Sequence, residues 1–116
     1  MTRLELARAG EQAASCFLQA RGWVVLECNY RCPPAEIDLI ARDGDVLVFV
    51  EVKTRQSPRA VPAEAVSPQK QRKIRLAAAW YLKERRLSDP PCRFDVIAVT
   101  GRSQSDFTLE HFPGAF

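Results

Sequence analysis

IDLIARDGDVLVFVEVK, residues Ile37–Lys53, decides how this chain folds. Two apolar runs flank Asp43-Gly44. Asp-Gly between apolar runs is the strongest short-range signal for a β-hairpin, because both residues tolerate positive φ. Strands are expected at 35–42 and 45–55. With Asp43-Gly44 as a two-residue turn, Arg42 pairs with Asp45, Ile40 with Leu47, Asp38 with Phe49 and Glu36 with Glu51. Side chains alternate along a strand. Glu36, Asp38 and Ile40 therefore share a face with Leu47, Phe49, Glu51 and Lys53. The opposite face, Ile37, Leu39, Ala41, Val46, Val48, Val50 and Val52, carries no charge. A three-residue loop, Asp43-Gly44-Asp45, would slip the register by one and send Asp38 to the face away from Glu51.

The pleat thus gathers Asp38, Glu51, Lys53 and Glu36 at one end of an otherwise apolar hairpin. Glu36 directly opposite Glu51 would be repulsive. Lys53 offsets part of that repulsion. A divalent cation would offset more, since Mg²⁺ is held by one or two carboxylates and keeps several waters. Two readings stand at this point: a structural ion-pair network, or a site.

Outward from the hairpin, residues 3–20 read as a helix, with Leu4, Ala7, Ala14 and Leu18 as its inward stripe and Glu11 on that same stripe. Gly22 is the stop signal. Residues 23–30 read as a strand, ended by Arg31-Cys32-Pro33-Pro34. Residues 56–67, with Pro58 and Pro62, read as a loop. Ser67-Pro68 is a helix start, N-cap then first helical position. That helix runs to about Arg86, with Ile74, Ala77, Ala78, Tyr81 and Leu82 inward. Strands follow at 93–100 and 107–112. The order is αβββαββ. A strand–helix–strand crossover beside a hairpin means a mixed sheet flanked by helices.

With 116 residues, 47% apolar and 27% charged, the chain fits one globular domain over 1–116 that needs no disulfide to fold. It shows no apolar leader and no run long enough to span a bilayer, so a cytoplasmic protein is expected. Cys28 and Cys32 have metal-pair spacing, and with Cys16 and Cys92 could make a zinc site; the plainer reading is reduced, mostly buried thiols. Charge is unevenly spread. Residues 53–86 hold ten Lys/Arg against two acids, while residues 1–52 sum to −3 and 87–116 to −2. This cationic block is either a solvated helix face or a surface for an anionic partner such as nucleic acid. Lys70, Arg72 and Lys73 crowd a helix start, where the helix dipole favours acids; the N-terminus and those cations together would suit a phosphate. Lys70, four before Ile74, lies at the edge of the inward face. Trp23, Trp80 and Tyr81 could stack on bases but read first as core, and His111, the lone histidine, reads first as structural.

Ala35-Glu36-Ile37-Asp38-Leu39-Ile40 and Phe49-Val50-Glu51-Val52-Lys53-Thr54-Arg55 resemble the YraN-like family of small bacterial proteins, itself similar to archaeal Holliday-junction resolvases of the PD-(D/E)xK nuclease superfamily. Gly10-Glu11 with Ala14, Asn29-Tyr30-Arg31, Val66 with Lys70, Arg93-Phe94-Asp95 and Ala115-Phe116 extend the resemblance over nearly the whole chain. It departs at Ala35, where the family has Gly, and at Gly114, where it has Asn. The resemblance implies a restriction-endonuclease-like core and a Mg²⁺- or Mn²⁺-dependent endonuclease acting on DNA, including branched DNA. It maps Asp38, Glu51 and Lys53 to the nuclease motif and Glu11 to the acid of the first helix. Metal would be held by Asp38, Glu51 and the Val52 carbonyl. Lys53 would orient or deprotonate water, and Arg55, Lys70, Arg72 and Lys73 would meet the nucleic acid. Glu36 would be accessory. A homodimer is the assembly that resolvase relatives use. The other class open to this chain is a module that keeps the fold and binds nucleic acid or protein without turnover.

Overall fold

The computed structural model describes residues 1–57 and 66–116. Most of the loop expected across 56–67, Pro58 and Pro62 included, lies outside the described residues. Helix α1 (Arg3–Ala20) opens on a reciprocal cap: Glu5 N–H donates to Thr2 Oγ1 (3.1 Å), and Thr2 N–H donates to Glu5 Oε1 (2.8 Å). Strands β1 (Val24–Arg31), β2 (Glu36–Asp43) and β3 (Val46–Arg55) follow. Then come α2 (Pro68–Glu84), β4 (Cys92–Thr100), a short 3₁₀ turn and β5 (Thr108–Phe112). The element order is the expected αβββαββ.

The five strands form one sheet in sequence order, antiparallel except for β3 and β4. Their parallel pairing requires a crossover, and α2 supplies it. The helices cover opposite faces. Ala14 and Leu18 of α1 pack with Trp23 on Leu39, Ala41, Val48, Val50, Val52, Ile97 and Val99. Ile74, Ala77, Ala78 and Tyr81 of α2 pack on Tyr30, Ile40, Leu47, Phe49 and Val96. The period-two pattern of β3 thus divides two cores, one per face.

Three expectations need correction. The inward stripe of α1 passes through Leu6, Ala9, Ala14 and Leu18; Leu4, at the solvated start of the helix with Arg3 and Glu5, is exposed. The hairpin turn is Gly44-Asp45, so Asp43 pairs with Val46, Arg42 with Leu47 and Ile40 with Phe49. Gly44 has φ +60°, and neither Asp43 nor Asp45 has positive φ. Glycine alone at the first central position is the type II′ arrangement, which spares an aspartate the left-handed conformation. The shift of two residues keeps the side chains paired from Leu39–Val50 to the turn on their expected faces and removes the Glu36–Glu51 opposition. Ile37, expected on the face of Leu39, instead joins the α2-side core. The β2–β3 ladder ends at the Leu39–Val50 pair. On the other side, Asn29 lies between the Cys28–Leu39 and Tyr30–Ile37 pairs with φ +55°. The strand therefore turns at Asp38, and side-chain alternation restarts beyond it.

No helix among the described residues is long and apolar enough to cross a membrane.

Candidate active site

The end of the β2–β3 ladder creates the site. Where Asp38 would continue the ladder, its side chain does so instead: Val52 N–H donates to Asp38 Oδ2 at 2.8 Å. In an extended strand a residue's C=O leaves on the same side as its N–H. The Val52 carbonyl therefore points toward Asp38 as well. Glu51, one residue back on β3, turns to the α2 face beside Phe49 and is only 4% exposed. Asp38 and Glu51 look into an open cleft of ≈ 340 Å³, lined also by Pro34, Glu36, Lys70 and Lys73.

Lys70 reaches this cleft from the first turn of α2. Ser67 caps that helix, its Oγ accepting from Lys70 N–H at 3.1 Å, with Pro68 next. The cap fixes the direction of the turn, and Lys70 Nζ sits 3.0 Å from Glu51 Oε1. The other carboxylate oxygen, Glu51 Oε2, is buried with no hydrogen-bond partner among the described residues. Few native buried polar atoms are left in that state.

The electrostatics agree. Burial, reinforced by the charge of Asp38, pushes Glu51 up to about 7 despite Lys70 and Lys53. Burial also raises Asp38, outweighing the Val52 N–H and the Lys70 charge that hold it down. Burial works against the Lys70 ammonium, but the Glu51 charge beside it wins, and Lys70 is raised. Two carboxylates are thus held in low dielectric with less positive charge than they need.

Glu11 approaches from the opposite side of the sheet. It is half-buried and raised, first by burial and then by the Asp38 charge, while the Asn29 amide draws it down. Its approach depends on Gly10: a methyl group there would overlap the Thr54 side chain on β3. Glycine lets α1 settle against the end of β3 where Glu11 can sense Asp38. Glu11 lines a neighbouring cavity of ≈ 250 Å³ with Arg8, Ser15, Cys28 and Asn29.

The structure therefore brings Asp38, Glu51, Val52 and Lys70 together, with Glu36 and Lys73 at the rim and Glu11 close behind. Lys53 is half-exposed two residues beyond Glu51; its charge lowers both carboxyls, though it does not line the cleft. Glu36 is also paired with Arg31 (3.8 Å). Arg55 and Arg72 lie outside the cleft lining. Among the described residues no group of three or more His, Cys, Asp and Glu side chains is arranged to hold a metal, so Glu11 does not complete a triad of acids and the four cysteines do not form a zinc site. Cys16, Cys28 and Cys92 are exposed, against the expectation of buried thiols.

Sequence reasoning missed a second buried acid. Asp95 on β4 is fully enclosed and accepts from Arg93 Nε and an Arg93 terminal nitrogen (both 2.8 Å), His111 Nε2 (2.7 Å) and Gly114 N–H (2.9 Å). Arg21 donates to His111 Nδ1 (3.0 Å), and since arginine has only donors, His111 carries its proton on Nε2. The Arg-x-Asp spacing at 93–95 was a visible signal, but its distant partners 111 and 114 were not. Gly114 has φ +60°, a conformation open to Gly and Asn alike, and Ala35 does not have positive φ. Both departures from the family pattern are thereby accommodated.

An α/β protein with a five-stranded mixed sheet and a charge-deficient acidic pair at its centre is the class that fold and site define. Residues 10–99 match the model of "Uncharacterised protein family UPF0102". The chain is 50% identical over 115 residues to a "UPF0102 protein" of Syntrophotalea carbinolica, covering 98% of this chain and 93% of that one. It is 45% identical to one of Geotalea uraniireducens (96% and 88% covered) and 43% identical to one of Moorella thermoacetica (100% and 98% covered). The chain belongs to the UPF0102 family, the YraN-like family that the hairpin residues resemble. The matched span includes Glu11, Asp38, Glu51, Lys53, Lys70 and Asp95.

Proposed function

We propose that this protein is a divalent-cation-dependent endonuclease of the PD-(D/E)xK class, with a restriction-endonuclease-like core, acting on DNA that includes branched forms. The observation that carries the proposal is Glu51: a carboxylate almost fully buried, facing a solvent-open cleft, with one oxygen on Lys70 and the other on no partner among the described residues. A buried anion with a vacant oxygen fits a bound cation. Asp38, Glu51 and the Val52 carbonyl would hold Mg²⁺ or Mn²⁺, completed by water, an oxygen set suited to Mg²⁺. When bound, the ion supplies Lewis-acid polarisation of a phosphoryl oxygen and a more acidic water.

The remaining work falls to the chain. Val52 N–H fixes the Asp38 carboxylate in one orientation. Lys53, next to Val52, would take a proton from the attacking water or orient it. Lys70 and Lys73 would meet phosphate oxygens at the cleft mouth and stabilise charge that builds on the phosphorane. Arg55 and Arg72 would contact the backbone further out. The test is a cleavage panel on duplex, single-stranded, flap and four-way DNA with Mg²⁺ or Mn²⁺, wild type beside Lys53→Ala. Cleavage present in the wild type and reduced roughly 10²-fold or more in the variant supports the proposal; equal traces for both proteins sink it.

One observation favours a second reading. Lys70 and Lys73 bring positive charge to the cleft without any metal. A module that binds nucleic acid without turnover would need no more. Mn²⁺ titration by calorimetry separates the two, because only the nuclease reading requires binding that Glu51→Ala removes.

A further inference from the structure

Helix α2 carries an exposed surface that neither core uses. Its buried line is Ile74, Ala77, Ala78 and Tyr81. Beside that line run Lys73, Leu76, Trp80 and Lys83, spaced three and four apart, so they form one stripe. Leu76 is 59% exposed and Trp80 45%. The stripe corrects the expectation that Trp80 packs in the core. It also starts at the candidate site, since Lys73 lines the cleft that holds Glu51. At its other end Trp80, Lys83 and Glu84 border an open cavity of ≈ 270 Å³, and the Glu84 carboxylate there accepts from the Tyr30 hydroxyl (3.0 Å).

We propose that this stripe is a binding track for single-stranded nucleic acid leading away from the cleft, with a base stacked on Trp80 and phosphates on Lys73 and Lys83. The proposal rests on the nucleic-acid reading of the site and adds the strand conformation and the path. Three arguments support it. An indole exposed between cations has the composition of a stacking platform on a charged track. Seven residues of helix separate Lys73 from Trp80, about 10 Å, or roughly three stacked nucleotides at about 3.4 Å each. A second copy of this chain fits less well. Leu76 and Trp80 offer far less than the roughly 800 Å² per partner of a stable dimer, and a two-fold helix pairing centred here would set Lys73 against Lys83.

The two tryptophans make the test direct. Trp23 is buried against the His111 ring (5.4 Å between centroids) and gives a constant background. The protein is titrated in EDTA with fluorescein-labelled oligo(dT), for anisotropy, and with unlabelled oligo(dT), for tryptophan emission. Binding with quenched emission is expected. Trp80→Ala should lose the quench and weaken binding roughly 5- to 100-fold, with Trp80→Phe recovering part of the affinity. Lys83→Glu should weaken binding and reduce its salt dependence. Unchanged circular dichroism in each variant shows that folding is not the cause. Anisotropy that rises equally for wild type and Trp80→Ala, without quenching, overturns the track and leaves the nuclease reading intact. No binding of single-stranded or duplex DNA by any protein overturns both. Emission that changes with protein concentration alone, together with a sedimenting dimer lost in Trp80→Ala, overturns the track in favour of self-association.

Discussion

Asp95 and Glu51 are both buried carboxylates, on adjacent parallel strands, and their surroundings are opposite. Asp95 accepts four hydrogen bonds, from Arg93, His111 and Gly114. These outweigh the effect of burial, and its pKa is lowered. Among the described residues Glu51 has one partner, Lys70, and one oxygen with none; its pKa is raised. Burial is common to both, so burial does not mark function. What differs is whether the protein supplies all the donors the acid needs. Asp95 is complete and ties β4 to β5 and the following turn. Glu51 is incomplete and faces a cleft.

Removing each acid should show this contrast. Asp95→Ala should lose about 3–5 kcal/mol of stability, as expected on removing one partner from a buried charged network. For a domain of this size that lowers Tm by roughly 15 °C, measurable by calorimetry. Because the folded pKa of Asp95 lies below its ordinary 3.8, its contribution is present above that pH and disappears as pH falls through the folded value. The Tm difference between wild type and Asp95→Ala should therefore shrink in strong acid. An unchanged Tm at pH 7 would break the comparison.

Glu51→Gln should do the reverse. A carboxylate raised from 4.5 to about 7 carries no penalty below 4.5; the penalty grows as pH rises from 4.5 through about 7 and is then constant. In EDTA at pH 8 the variant should be more stable than wild type by up to roughly 3 kcal/mol, an advantage that fades by pH 4. Thermal melts at the two pH values check this, and a destabilised variant at pH 8 would place Glu51 in the same class as Asp95. Stability gained by removing a functional group is a familiar trade-off.

Lys70→Met sharpens the contrast with a smaller effect. Lys70 supplies the only hydrogen bond that Glu51 accepts among the described residues. If a cation competes for the same carboxylate, deleting the ammonium should tighten Mn²⁺ binding at pH 8 by up to roughly tenfold, about 1.4 kcal/mol. Calorimetry reads this directly; weaker binding in the variant would show that Lys70 prepares the site instead of filling it.

The elements were legible in the sequence because their signals are local. The hairpin came from Asp-Gly between apolar runs, and α2 from Ser67-Pro68. The parity of Asp38 and Glu51 survived an error of two residues in register, since faces repeat every second residue. Ile37 was misplaced because β2 turns at Asp38, opposite the left-handed Asn29, and no neighbouring residue signals a break in alternation. The Asp95 network stayed hidden for a different reason: Arg21, His111 and Gly114 are brought to it only by tertiary packing. Trp80 was misread because helical spacing shows which residues share a stripe but not how wide the buried stripe is.

Gly10 reaches well beyond its own place in α1. It has no side chain to act with, yet its bareness sets how near one acid-bearing helix can come to the strand that carries Glu51 and Lys53. Any bulk at that point is a wedge, prying Glu11 from its neighbour while leaving all the ionisable groups chemically intact. A mutational survey confined to charged residues would pass over the spacer on which their mutual distances depend.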